Sequence, residues 1–246
     1  MKTSNKILLF IGVVLLISPF INAYSLKQKL DNKEYTLLNI KNKSATELID
    51  ITPTDSIHII GGNDLSVEII KSDTASVKKE KNSNVYIYEE KGVLTIQYSE
   101  RNGNVSQYSG VVTVRTPSLK AISFQGKLIV DSTGNKYKNT VSKHYSPFAI
   151  TVKDFQTEQL NIRGSNGGGR VLLSNNNIKD LTLSIGELSN VRIDSTNSFG
   201  LLNVQSSKNP SITIDGAHIK SLKTNLGSNG SLTMKGTNIE SMNTYE

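Results

Sequence analysis

An apolar residue recurs every 20 or 21 residues through the C-terminal half of this 246-residue chain, and this period limits the fold more than any other feature. Two columns of apolar residues follow the period. The first column holds Leu160, Leu181, Leu202, Leu222 and Met242. The second column, ten or eleven residues further on, holds Val171, Val191, Ile212 and Leu232. Such a repeat predicts one structural unit that stacks on copies of itself.

The repeat predicts an all-β fold. Its apolar residues come in short alternations typical of strands, separated by Asn, Ser, Thr and Gly turns. Two or three short strands in about 20 residues suit a parallel β-helix, whose coils advance by about 4.8 Å. A leucine-rich repeat would show its own consensus, and an immunoglobulin-like sandwich would lack a fixed period. We therefore predict a right-handed parallel β-helix with coils of about 20 residues.

The N-terminal part predicts separate strands that run into this β-helix. The run 55–60 and the run 65–70 flank Gly-Gly-Asn-Asp, which predicts a hairpin. The runs 85–88 and 93–98 predict a second hairpin. The predicted organisation is a signal peptide over 1–23, a polar lead-in over 24–36, N-terminal strands over 37–118, and coils over 119–246 with a loop over 131–147.

The first 23 residues have the pattern of an export signal. Lys2 and Lys6 precede an apolar run over 7–20, and Ala23 stands at the predicted cleavage position. The run is too short to span a membrane comfortably, so cleavage after Ala23 is favoured over an uncleaved anchor. We expect an exported protein with no integral membrane domain after cleavage, located in the periplasm, at the outer surface or outside the cell.

Composition excludes several classes of function. The chain has no cysteine, which excludes disulfide frameworks, thiolate metal sites and thiol catalysis. Its net charge of +7 comes from scattered lysines without a nucleic-acid-binding motif, so nucleic acid is not the expected partner.

Few residues predict chemistry, and no catalytic residue or cofactor is predicted. Asp194 and Asp215 would stack on adjacent coils, which makes them a candidate calcium site and a hint of lyase chemistry. His218 falls in a turn column with Asn177, Ser198 and Asn238, where a structural role is favoured over ligation. The other two histidines, His58 and His144, share no metal-binding spacing. Three tyrosines, Tyr86, Tyr88 and Tyr108, allow two interpretations. They form either an exposed aromatic strip that binds glycans or side-chain pairs that pack across neighbouring strands.

The stretch 57–69 (Ile-His-Ile-Ile-Gly-Gly-Asn-Asp-Leu-Ser-Val-Glu-Ile), the strand 92–96 and the phrase 111–122 (Val-Val-Thr-Val-Arg-Thr-Pro-Ser-Leu-Lys-Ala-Ile) resemble a known family. Over residues 40 to 243 the chain is similar to the autotransporter adhesin head domain family, an exported bacterial group of β-helical domains. The family's Gly-Ser-Gly-like turns are approached only at Gly164 and Gly227. The resemblance implies surface binding and transfers no catalytic residue.

Three functions remain open at this level. The leading hypothesis is a non-catalytic, adhesin-like binding module of the cell envelope or surface, with a glycan or surface polymer as partner. The alternatives are a β-helical polysaccharide lyase or hydrolase and a purely structural envelope protein. Because repeat arrays need their ends covered, we expect the last coil to be closed by its own tail or by a second protomer.

Overall fold

The structure is a computed structural model. It describes residues 46–62, 65–81, 83–99, 110–126, 128–135, 138–145, 147–165, 167–186, 189–207 and 209–244. All of them belong to one compact unit, Ser44–Glu246. Over these residues the chain forms strands and turns without a helix, which confirms the all-β prediction.

The strands follow one another closely along the chain. They are β1 (Thr46–Asp50), β2 (Ser56–Gly61), β3 (Leu65–Lys71), β4 (Ser76–Glu80), β5 (Val85–Glu90), β6 (Val93–Tyr98), β7 (Val111–Thr116), β8 (Ala121–Gly126), β9 (Leu128–Asn135), β10 (Lys138–Tyr145), β11 (Phe148–Lys153), β12 (Gln156–Gly164), β13 (Gly169–Ser174), β14 (Asn177–Ile185), β15 (Asn190–Ile193), β16 (Ser198–Ser206), β17 (Ser211–Asp215), β18 (His218–Asn225), β19 (Ser231–Lys235) and β20 (Asn238–Thr244).

Two nine-stranded sheets contain most of these strands. Sheet I has the order β1-β4-β7-β3-β11-β13-β15-β17-β19, and sheet II has the order β20-β18-β16-β14-β12-β8-β2-β6-β5. Most neighbours pair in parallel. The antiparallel pairs within the two sheets are β1 with β4, β4 with β7, and β5 with β6. From β11 to β20 the chain alternates strictly between the two sheets, which is how one repeat contributes a strand to each.

The register confirms both apolar columns. In sheet II, Leu160 lies opposite Leu181, and the pairing continues through Leu202 and Leu222 to Met242. In sheet I, the pairing runs from Val171 through Val191, Ile212 and Leu232. Most of these side chains are completely buried, because inward positions of stacked strands face one continuous core. Met242 breaks this rule, since it is 48% exposed.

The predicted hairpin between β2 and β3 is wrong. β2 lies in sheet II and pairs in parallel with β6 and β8, whereas β3 lies in sheet I and pairs in parallel with β7 and β11. The residues between the two strands therefore carry the chain from one sheet to the other. Alternating apolar residues around a Gly-rich turn are compatible with either connection, so the local pattern could not separate them. The predicted hairpin of β5 and β6 is confirmed.

The segment that breaks the period is a hairpin of its own. β9 and β10 pair only with each other, antiparallel, so the expected loop over 131–147 is largely strand. Phe124 stands just before this insertion and Phe148 just after it. Their rings make an edge-to-face contact with centroids 5.8 Å apart and planes at 71°, which closes the core beneath the insertion.

Three glycines make room for this aromatic pair. A Cβ atom on Gly61 would lie 2.2 Å from Cγ of Phe148, and one on Gly164 would lie 2.4 Å from Cζ of Phe124. A Cβ atom on Gly169 would lie 2.7 Å from Cε2 of Phe124 and 2.8 Å from Cζ of Phe148. The glycine-rich stretch that begins at Gly164 thus has a packing role here.

Two expectations about the chain termini fall on undescribed residues. The signal peptide, with Ala23, and the polar lead-in lie outside the described residues, so both stay predictions. The same holds for Tyr245, the tail residue expected to close the last repeat. Within the described part of the chain, no helix has the length and hydrophobicity needed to cross a membrane.

Candidate binding site

A polar groove of about 640 Å³ crosses the beginning of four neighbouring strands of sheet II, β12, β14, β16 and β18. Hydroxyl, amide and charged side chains dominate its lining. The lining residues are Gln156, Thr157, Glu158, Asn177, Lys179, Ser198, Gly200, His218 and Lys220. We call it the corner groove, for the bend described next.

A bend in each strand creates this groove. The ladder pairs Gln156 with Asn177 and Gln159 with Asp180, but it skips Glu158 and Lys179 between them. The same position is skipped in the next strands, at Gly200, Lys220 and Glu240. In each strand two consecutive side chains there are not buried, after which alternation resumes at the leucine column. Two successive outward residues require the strand to turn a corner, and the corner spreads the polar side chains apart.

One wall of the groove is a row of hydrogen-bonding side chains. Asn177 lies opposite Ser198, which lies opposite His218, which lies opposite Asn238. This confirms the column that the sequence period predicts for His218. The column repeats at the spacing of parallel strands, about 4.8 Å. Such a row offers evenly spaced donors and acceptors to an extended ligand.

Some charged side chains of the groove form ion pairs. Lys179 Nζ lies 2.9 Å from Glu158 Oε2, and the hydrogen bond and charge of Glu158 raise the pKa of Lys179 above its ordinary value. His218 Nε2 lies 3.7 Å from Glu240 Oε1 at the far end. Lys220 has no ion-pair partner among the residues that the structure describes. An ammonium group without a carboxylate partner is free to donate to a ligand.

Gly200 keeps the middle of the groove open. It occupies the same position of its strand as Lys179 and Lys220 do in theirs. A Cβ atom there would lie 2.7 Å from the backbone oxygen of Lys179, so the close approach of two strands requires glycine. The result is a gap in a column of long side chains, flanked by a lysine on each side.

The two candidate calcium ligands lie away from this groove and have protein partners. Asp194 Oδ1 accepts hydrogen bonds from the backbone N–H of Thr196 at 3.0 Å and from Asn197 Nδ2 at 2.9 Å. Asp215 Oδ2 lies 3.6 Å from a guanidinium nitrogen of Arg192. Searched over its described residues, the chain contains no cluster of three or more His, Cys, Asp or Glu side chains that could hold a metal ion. Asp194 and Asp215 stay only a candidate calcium site, and the partners they have in the protein argue against it.

The pKa of Asp194 is nevertheless displaced. Partial burial acts to raise it, but hydrogen bonds from Thr196 and Ser174 and the charge of Arg192 together hold it below its ordinary value. An acid that is stabilised as a carboxylate and bonded within its own turn suits a structural role.

Other residues singled out in the sequence lie elsewhere. Tyr86 and Tyr88 project from the edge strand β5 and are 54% and 44% exposed, so both rings are accessible; Tyr108 lies outside the described residues. His58 Nδ1 forms a hydrogen bond of 2.7 Å with Ser123 Oγ on the neighbouring strand. His144 belongs to β10, which pairs with β9 and is part of neither nine-stranded sheet.

Sequence analysis missed Lys179, Gly200 and Lys220. The signal was available, because these residues share one position of the period, two residues before the leucine column. Only the bend in the strand, which no residue pattern marks, makes that position line a groove.

Solved structures of bacterial proteins from three genera align with most of this chain. One is a candidate adhesin from Bacteroides fragilis, 14% identical, with a TM-score of 0.47 over 81% of this chain and 96% of its own. Another is a candidate lipid-binding protein from Parabacteroides distasonis, 16% identical, with a TM-score of 0.40 over 82% and 96%. A third is a candidate cell adhesion protein from Clostridium sporogenes, 10% identical, with a TM-score of 0.35 over 80% and 99%.

Several of these structures are candidate adhesins, the kind of protein that the sequence resembles. No family sequence profile matches the chain, and no curated protein matches it.

Proposed function

We propose that this chain is an exported, non-catalytic binding module of adhesin type that holds a glycan in the corner groove. The observation that carries the proposal is the groove itself, in which donors and acceptors repeat from strand to strand beside Lys220, which has no ion-pair partner in the described part of the chain. A glycan presents hydroxyl groups at regular intervals along its length. A row of amide and hydroxyl side chains spaced by about 4.8 Å can bond several successive sugar residues.

We further propose that the scaffold is a right-handed parallel β-helix. The strict alternation of β11 to β20 between the two sheets and the in-register columns support this architecture. The handedness follows from the general preference of parallel crossovers. Stacked repeats suit a binding function, because each added repeat lengthens the ligand-binding surface without changing its chemistry.

Substitutions in β18 test the groove. We expect Lys220→Ala to weaken binding of the best ligand from a panel of soluble oligosaccharides by about tenfold, since a charge-assisted hydrogen bond is lost. Lys223→Ala is the matched control, because Lys223 belongs to the same strand beyond the corner and does not line the groove. Isothermal titration calorimetry measures both. Equal affinities of wild type and Lys220→Ala would contradict this site.

Location is tested separately, by protease treatment of intact cells followed by detection of the chain with an antibody. The proposal predicts loss of signal from intact cells, as from lysed controls. Protection until lysis would place the chain inside the envelope and contradict a surface role.

A further inference from the structure

A second cleft lies on the outward face of sheet II, away from the corner of its strands. It encloses about 370 Å³ where β6, β2, β8 and β12 lie side by side. Small side chains leave the space open. The outward residues that line it are Ser56, Val93, Ala121, Ser123, Asn161 and Arg163.

Register explains how this cleft is assembled. Ser56 lies opposite Val93 on one side and Ala121 on the other, and Ala121 lies opposite Asn161. The insertion of β9 and β10 separates β8 from β12 in sequence, so the period does not reveal that these strands are neighbours. Val93 and Ala121 present methyl groups, against which the C–H face of a sugar ring can pack.

Arg163 is the only strong cation lining this cleft, and it has no ion-pair partner among the described residues. The strands β2, β6 and β8 contain no Asp or Glu. Asp55, which precedes Ser56, is already paired with Lys120 Nζ at 2.7 Å. The guanidinium of Arg163 thus keeps its planar set of N–H donors for a ligand, and that geometry matches a carboxylate.

A row of polar groups continues from Arg163 across the sheet. Arg163 lies opposite Ser123, and Ser123 lies opposite His58. Thr95, opposite His58 on β6, is only 6% exposed and ends the row. The hydrogen bond between His58 Nδ1 and Ser123 Oγ holds the imidazole ring in place. Successive members are about 4.8 Å apart, so the row suits a sugar chain that runs from its acidic residue at Arg163 to His58.

We infer that this cleft binds a uronic acid residue of a glycan, with the sugar carboxylate on Arg163. The inference rests on the proposed function in taking the ligand to be a glycan, but it uses residues that the corner groove does not. The class of ligand is an acidic polysaccharide. The hydroxyl groups of Ser56 and Ser123 and the amide of Asn161 then face the sugar hydroxyls.

The test compares one oligosaccharide in two forms, oligogalacturonate and the same oligomer with its carboxylates reduced to alcohols. We expect the wild-type chain to bind the acidic form about tenfold more tightly, and Arg163→Gln to abolish that preference. Arg170→Gln is the matched control, because Arg170 is an exposed arginine of β13 in sheet I. It should keep the preference.

The outcomes separate this inference from the proposed function. Equal binding of both forms by wild type, unchanged in Arg163→Gln, would overturn the uronate site and leave glycan binding intact. A preference that survives in Arg163→Gln and disappears in Lys220→Ala would also overturn it, by assigning the carboxylate to the corner groove. Absence of binding to either form would overturn the uronate site and count against glycan binding as well.

Discussion

Asn176 donates its backbone N–H and its side-chain Nδ2–H to the same oxygen, Oδ1 of Asn197, at 3.1 and 3.0 Å. The two residues stand 21 positions apart, at the same point of successive repeats, and are 1% and 2% exposed. Asn176 Oδ1 in turn accepts the N–H of Phe155 at 3.0 Å. This short asparagine ladder satisfies backbone groups at a turn where no strand pairing can do so.

Removing one member of the ladder should destabilise the fold. Asn176→Ala would leave the N–H of Phe155 and the carbonyl of Val152 without their buried partners. We expect a loss of roughly 3 kcal/mol in the free energy of unfolding, measured with urea. Asn190→Ala, at an exposed position of β15, should change it by less than about 0.5 kcal/mol. Similar values for the two variants would show that the ladder adds no stability.

Packing at the base of the insertion can be tested by a double-mutant cycle. Gly61→Ala should be strongly destabilising, because its Cβ would overlap the ring of Phe148. In a Phe148→Ala background, which itself should cost about 3–5 kcal/mol, the same change should be nearly neutral.

Gly164→Ala is the control for this cycle, since its Cβ would meet Phe124 and not Phe148. Phe148→Ala should relieve it much less. Purely additive effects of Gly61→Ala and Phe148→Ala would refute the proposed contact.

Acid should weaken the fold through two carboxylates. The pKa of Asp55 is lowered mainly by its hydrogen bond with Lys120, and that of Asp194 is lowered by the bonds described above. A carboxyl with a lowered pKa in the folded chain stabilises it above the unfolded value of about 3.9 and ceases to do so as pH falls through the folded value.

We therefore expect the melting temperature to drop between roughly pH 4 and pH 2, and to drop less in Asp194→Asn. Asp180→Asn, an exposed acid of β14, serves as the comparison and should follow the wild-type curve. If Asp194→Asn and Asp180→Asn have the same pH profile, the bonds of the Asp194 turn are not the cause.

Calcium should not stabilise the chain. Asp194 is bonded within its turn and Asp215 is paired with Arg192, so neither carboxylate is poised for a cation. We expect the melting temperature to be the same in millimolar Ca²⁺ and in a chelator. A rise with Ca²⁺ that Asp215→Asn abolishes would establish the calcium site that the stacked aspartates suggest.

The repeat is visible in the sequence because burial requires an apolar residue at each equivalent position. Leu181 and Val191 are therefore predictable from their spacing alone. The connection between β2 and β3 is not, because an alternating strand has the same pattern whether its neighbour lies beside it or in the opposite sheet. Ser123 and Arg163 become neighbours only through the pairing of β8 with β12 across the insertion, a long-range contact without a local signal.

The corner groove, too, is only partly predictable from the sequence. His218 falls in its column by spacing, and the structure confirms that column. The groove beside it depends on the bend in each strand and on Lys220 lacking an ion-pair partner among the described residues, and both are properties of the folded surface.

The most direct test of binding without turnover is the length of the glycan after incubation with an equimolar amount of the chain, measured by mass spectrometry. The best-binding oligosaccharide is used, and the bound fraction is determined in the same sample. We predict a bound glycan that is recovered at its full starting length. Shorter or unsaturated products that disappear with Asp194→Ala or Asp215→Ala would contradict a non-catalytic module and establish a polysaccharide-cleaving enzyme.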